Sequence, residues 1–204
     1  RWGRPDSSEY VKKYRGEPSR LLLIKARRYC RNYRREVVKF KTLSAEVVAK
    51  RLNRVVRQLS GKRLDVLYVD IPSKVNISPS INLIKVNPHE RLTSLDLKRL
   101  KVHEIGVHYM RFFNGYKFGV KILSSGTSNY IETEEGLAVF AEEQKDVLSR
   151  AQMFIYAGRV VATYYALRKS FYDVYEILRE YGFKEEDAFT MTYRAKRNLS
   201  DTSK

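Results

Sequence analysis

The 204-residue sequence contains a single cysteine, Cys30. With one thiol no internal disulfide framework can form, which fits a reducing compartment such as the cytoplasm. No stretch approaches the roughly 18 uncharged apolar residues of a membrane span. The nearest run, Met153 to Leu167, is broken by Arg159, so no membrane partner is expected. The start does not resemble a signal peptide, but a chain opening on Arg1 rather than Met leaves targeting open. Internal repeats and low-complexity tracts are absent. Histidine is scarce, with three residues in all, and acidic charge is short: 40 Lys and Arg face 23 Asp and Glu, a net charge of +17.

Apolar residues make up 43% of the chain and aromatics 12%, enough to bury a core and to exclude disorder for most of it. The charge is unevenly placed. Residues 1–63 hold 20 basic and 5 acidic side chains, and residues 64–204 hold 20 and 18. The sequence therefore reads as a basic N-terminal arm and helix pair over 1–63, joined within one domain to a near-neutral body over 64–204. Such a surplus favours encounter with acidic partners, whether nucleic acid, anionic lipid or an acidic polypeptide tail.

Periodicity predicts an extended arm over 1–19 and a basic helix from Leu21 to Phe40. That helix carries Arg27, Arg28, Arg31, Arg34 and Arg35 among Tyr29 and Tyr33. A second helix follows Ser44 and stops at Gly61, with Lys50, Arg51, Arg54 and Arg57 on its polar face. Strands are expected over Leu64–Ile71 and Ile81–Val86, punctuated by Pro72, Pro79 and Pro88. Thr93 with Asp96 forms a capping box that opens a helix ended by Asn114-Gly115. A loop covers roughly 115–130. Helices are expected over 133–149, 152–168, 171–181 and 185–198, the third opened by a Ser170–Asp173 capping box. The sum is a mostly helical α+β domain with a small β-sheet ahead of the central helix.

The informative chemistry lies in that central helix, in His103-Glu104-Ile105-Gly106-Val107-His108. Two histidines at i and i+4 share one helix face and can chelate one metal. At i and i+5 they stand about 140° apart on a regular α-helix. A one-residue π-bulge would return both rings to one side, and Gly106 would ease that distortion. Taken alone, the motif leaves metal binding and satisfied structural histidines both open. Composition favours the metal, because two of three histidines flank this glutamate; His89, beside Pro88, reads as structural or exposed. A catalytic zinc needs a third protein ligand. With no third histidine nearby, a carboxylate of Glu132, Glu134 and Glu135 must serve, although acidic residues at a helix start also complement its dipole. Helical spacing puts Glu134 nearer the apolar face of Leu137, Phe140, Ala141 and Leu148. The unbroken apolar run from Gly136 to Ala141 suggests instead a helix buried all round, with Gly136 allowing close approach, which favours Glu135.

Three segments, HEIGVH, TEEGLAVFAEE and YRAKRNLSDTS, together resemble the microtubule-associated tyrosine carboxypeptidase family and its bacterial QEGLA-motif relatives. The resemblance runs from about residue 80 to the C-terminus. It implies a zincin-like zinc metallopeptidase (a carboxypeptidase with one Zn2+ per chain), with His103, His108 and Glu135 as ligands and Glu104 as catalytic base. It also implies a polypeptide C-terminal tail as substrate, the terminal tyrosine of α-tubulin in eukaryotic members, and hence microtubules as a partner. Two departures stand out. Glu134 replaces the Gln of the bacterial motif, and the family's domain normally continues beyond the point where Lys204 ends. Dipeptidyl peptidase III shares a stretched HExxxH, but its glycine falls one place later and its glutamate ligand further downstream, a weaker match.

A carboxypeptidase must hold the free α-carboxylate of its substrate, which suits a planar bidentate donor. Arg194, Lys196 and Arg197 are candidates, against the plainer role of a basic last turn at a helix C-terminus. The rival reading is a basic module that binds nucleic acid or an anionic surface without turnover, supported by Tyr29 and Tyr33 among arginines. No recognised nucleic-acid motif accompanies it. Glu104 argues against a pseudo-enzyme, since structure alone would not require it.

Overall fold

The computed structural model describes residues 16–34, 39–127 and 130–197. Most of the expected arm, the end of the first predicted helix, the end of the 115–130 loop and everything past Arg197 lie outside these residues. The chain forms two compact units, Arg1–Glu36 with Ser149–Lys204, and Val37–Leu148. The charge step at residue 63 falls inside the second unit. Charge follows surface composition, whereas compactness follows which apolar faces meet.

In the first unit, α1 (Arg20–Asn32) is capped by the Ser19 hydroxyl and leaves helical geometry at Tyr33, well short of the predicted Phe40. The Tyr33 ring stacks on Phe154 at 4.2 Å, and Phe154 stacks on Phe183 at 4.0 Å, so a tertiary contact takes over where the helix stops. α1 packs on α7 (Arg150–Ala166), which also meets α8 (Phe171–Glu180) and α9 (Glu185–Lys196). Leu23, Cys30, Val161, Val174 and Leu178 are central to their shared core. The Ser170–Asp173 capping box is present.

The second unit begins with β1 (Thr42–Leu43) and α2 (Ala45–Ser60), the latter bounded by Ser44 and by Gly61 at φ 70° as predicted. β2 (Asp65–Tyr68), β3 (Val75–Ser78) and β4 (Leu83–Val86) make a sheet of order β2-β4-β3, parallel between β2 and β4 and antiparallel between β3 and β4. β3 lies between Pro72 and Pro79, where the sequence showed only punctuation. β5 (Leu92–Thr93) pairs with β1. The Asn53 amide donates to the Leu64 carbonyl and accepts from the Leu64 N–H, both at 2.9 Å, fixing α2 to the start of β2.

The predicted central helix begins at the Thr93–Asp96 capping box as α3 (Ser94–Leu100). It continues as a π-helical segment over Lys101–Tyr109 and then as α4 (Met110–Lys117). The Met110 N–H reaches back five residues to the Ile105 carbonyl, the bonding that defines the wider turn. Leu97, Leu100, Ile105 and Tyr109 all enter the core. The five-residue step from Leu100 to Ile105 is itself the extra residue that a regular helix could not accommodate on one face. The Tyr109 and Ser60 hydroxyls, 2.8 Å apart, tie this segment to α2.

α4 does not stop at Asn114-Gly115. Gly115 is buried, and a Cβ there would lie 2.3 Å from the Leu123 backbone, so this glycine admits the short helix α5 (Lys121–Ser125). α6 (Tyr130–Gln144) packs on the π-helical segment. The expectation that α6 is buried all round is wrong: Leu137 and Phe140 are 54% and 55% exposed, and only Ala138 and Glu142 are buried. Nor does Gly136 serve close approach, since nothing lies within 4 Å of a Cβ built on it. No helix among the described residues is long and apolar enough to cross a membrane.

Candidate metal centre

The π-helical segment places His103 and His108 side by side, ring centroids 4.9 Å apart and planes inclined at 65°. Glu135, on α6, faces both. Its Oε2 lies 3.5 Å from His103 Nε2 and its Oε1 lies 3.5 Å from His108 Nε2. One donor atom from each of the three residues falls within 4.8 Å of the others. Tetrahedral bonds of ~2.0–2.1 Å imply neighbouring donors about 3.4 Å apart, so the spacing from carboxylate to imidazole suits one small ion between them. Two imidazoles and one carboxylate are also a zinc donor set that leaves a fourth position open.

Glu135 and Glu134 differ in a way that the burial argument does not capture. Glu135 is 54% exposed at its side chain, so relief of an uncompensated buried charge does not select it. Orientation does. Glu134 Oε1 meets the other nitrogen of His108, Nδ1, at 3.1 Å and is engaged by Arg111 Nε at 2.7 Å. Gly106 is not demanded by packing either; a Cβ on it would meet the Lys101 carbonyl oxygen at 3.4 Å, an ordinary contact.

Three participants escaped the sequence reading. Glu142, fully buried, holds His103 Nδ1 at 2.6 Å, and Arg99 Nη1 approaches the same Glu142 oxygen at 3.3 Å. Arg111, besides its bond to Glu134, donates to the Ser124 carbonyl and lies 4.8 Å over the Tyr130 ring. The signal was available: Arg99 precedes His103 by four residues, Arg111 follows His108 by three, and Glu142 follows Glu135 by seven. Each spacing returns close to the same helix face.

These charges set the protonation of the centre. Burial opposes a proton on His103, but its hydrogen bonds to Glu135 and Glu142 and the charge of Glu104 outweigh this and push its pKa up to about 9. The field that favours a proton there favours a metal cation as well. Burial raises the Glu104 carboxyl above its ordinary value, with the Glu135 charge adding to the effect and His103 and His108 opposing it. Glu104 lines a cleft of about 680 Å³ together with His108, Glu135, Phe112, Tyr130 and Lys121. Its position and raised pKa suit a general base or acid.

His89 is exposed and its backbone N–H donates to Asn87 Oδ1. Arg194, Lys196 and Arg197 end α9, in the other compact unit. Lys196 is buried and its ammonium donates to the Lys169 carbonyl, while Arg194 and Arg197 are exposed. On α2, Lys50, Arg51, Arg54 and Arg57 are exposed as expected.

A family model described as microtubule-associated tyrosine carboxypeptidase matches residues 3–198. No curated protein and no solved structure matches the chain.

Proposed function

The chain belongs to the microtubule-associated tyrosine carboxypeptidase family, and from that premise we propose a zinc-dependent carboxypeptidase, zincin-like in organisation, acting on the C-terminal peptide bond of an acidic polypeptide tail. The carboxypeptidase type follows from the family. The observation that carries the zinc reading is the convergence of His103 Nε2 and His108 Nε2 on the Glu135 carboxylate at 3.5 Å each. These residues would hold a Zn2+ ion, which would supply Lewis acidity toward the scissile carbonyl and the attacking water. Glu104, which stands outside the ligand group, accepts the proton of the attacking water and delivers it to the departing amine.

The substrate is a polypeptide, and a terminal tyrosine on an acidic tail such as that of α-tubulin is the preferred candidate. Phe112 and Tyr130 give the cleft an aromatic wall, and Lys121 adds a cation to it. Arg194 and Arg197 remain candidates for the α-carboxylate; Lys196 is already engaged by the Lys169 carbonyl. The exposed arginines of α2 suit docking to an acidic surface such as a microtubule. The single cysteine and this substrate class fit a cytoplasmic setting.

Metal analysis and peptide hydrolysis test the proposal together. One Zn2+ per chain, lost in His103→Ala, with chelator-sensitive release of the last residue from an acidic tail peptide, supports it. Metal-free protein that releases nothing overturns it, and tight, salt-steep binding to random duplex without hydrolysis would favour the nucleic-acid reading.

A further inference from the structure

We propose that Glu142 and Glu134 are positioning residues, one for each histidine, so that the three carboxylates α6 directs at the π-helical segment divide into one ligand and two orienters. The inference rests on the metal-binding reading above. An imidazole that offers the Nε2 lone pair to a metal must carry its proton on Nδ1, and an acceptor at Nδ1 enforces that tautomer while holding the ring plane. Both histidines have such an acceptor on the side away from Glu135. Glu142 Oε1 is 2.6 Å from His103 Nδ1, and Glu134 Oε1 is 3.1 Å from His108 Nδ1.

Each orienter has its own arginine. Glu142 has no solvent exposure, and burying a carboxyl group is costly unless it is paired and hydrogen-bonded. Arg99 Nη1, at 3.3 Å from the oxygen that meets His103, supplies the countercharge. Arg111 does the same for Glu134 at 2.7 Å and is held by the Ser124 carbonyl and the Tyr130 ring. The pattern is repeated on both sides of the motif, arginine to carboxylate to Nδ1, with the two Nε2 atoms left facing Glu135.

The test compares Zn2+ affinity, by competition with a chromophoric chelator, with nitrogen NMR of the histidine-labelled, Zn2+-loaded protein. In the wild type both rings should be metallated at Nε2 and protonated at Nδ1. Glu142→Ala should weaken Zn2+ binding about 10- to 100-fold and alter the Nδ1–H signal of His103 while leaving that of His108. Glu142→Gln, whose amide oxygen can still accept from Nδ1–H, should restore most of both. Glu134→Ala and Glu134→Gln should repeat the pattern on His108, and they carry the comparison should the fully buried alanine variant fail to fold. Unchanged affinity and NMR signals in the alanine variants, or losses that glutamine does not restore, would overturn the inference alone. A wild-type chain that takes up no Zn2+ would overturn it together with the metal reading.

Discussion

Glu134 and Glu135 are sequence neighbours that touch opposite nitrogens of the same imidazole, and glutamine substitution at each should have very different consequences. In Glu134→Gln the amide oxygen can still accept from His108 Nδ1–H and from Arg111, now 3.1 Å and 2.7 Å from the carboxylate. What is lost is the charge on those bonds. Hydrogen bonds to charged groups contribute a net ~1.5–3 kcal/mol and neutral ones ~0.5–1.5, so the change is about 1–2 kcal/mol. At ~1.4 kcal/mol per decade that charge is worth at most roughly 5- to 30-fold in Zn2+ affinity, and the loss should be only about a few-fold, well short of that in Glu134→Ala. Both bonds also exist in the metal-free protein, which makes the upper figure a ceiling. Glu135→Gln removes the one carboxylate from a donor group of two histidines and a glutamate. Its effect should exceed the ~100-fold that marks the upper end for residues outside the ligand shell. Chelator competition at fixed pH measures both, and zinc content after dialysis gives a second reading. Metal retained in Glu135→Gln and stripped from Glu134→Gln would refute the assignment and the orientation argument beneath it.

Other outcomes follow from the same structure. Glu104→Gln should keep Zn2+ uptake and fold while lowering turnover by about 10²–10⁴-fold; a near-normal rate would remove Glu104 as the base. Replacing Arg51, Arg54 and Arg57, all exposed, with glutamine should weaken binding to an acidic polypeptide and flatten its salt dependence, with hydrolysis of a short neutral peptide intact; equal loss on both substrates would indicate misfolding instead. Gly115→Ala places a Cβ 2.3 Å from the Leu123 backbone and should cost roughly 1–3 kcal/mol in an unfolding titration; wild-type stability would show that α5 can shift freely. Burial pushes the Cys30 thiol up to about 11 from 9.0, so at pH 8 its thiolate fraction is about a hundredfold below that of a free thiol. Between those values the unfolded chain ionises while the folded one keeps its proton, and this contribution to stability, complete below pH 9, falls as pH rises to 11. Alkylation of the native protein as fast as that of the denatured chain would refute the shift.

Much of this was legible in sequence order. The caps Ser44, Thr93 and Ser170 act within three residues of themselves, so local chemistry suffices to place them. The i, i+5 spacing of His103 and His108 needs a wide turn if one ion is to be shared, and the structure has it. What periodicity could not reach were elements and roles decided by distant neighbours. β3 acquires its identity only by pairing with β4, and α4 runs through Gly115 because α5 packs against the bare backbone there.

The site divides along the same line. The sequence by itself determined which residue types are available: two histidines around one glutamate, and acidic residues two to three dozen positions on. Only the tertiary structure decided the partners of each, because adjacent residues on a helix point about 100° apart and their partners come from another element. Glu135 turns toward both Nε2 atoms, Glu134 toward Nδ1 of His108 and Arg111, and Glu142 toward Nδ1 of His103 and Arg99. A run of glutamates is one composition. It acquires three different sets of partners only when α6 is laid against a π-helical turn whose two imidazoles present different nitrogens to it.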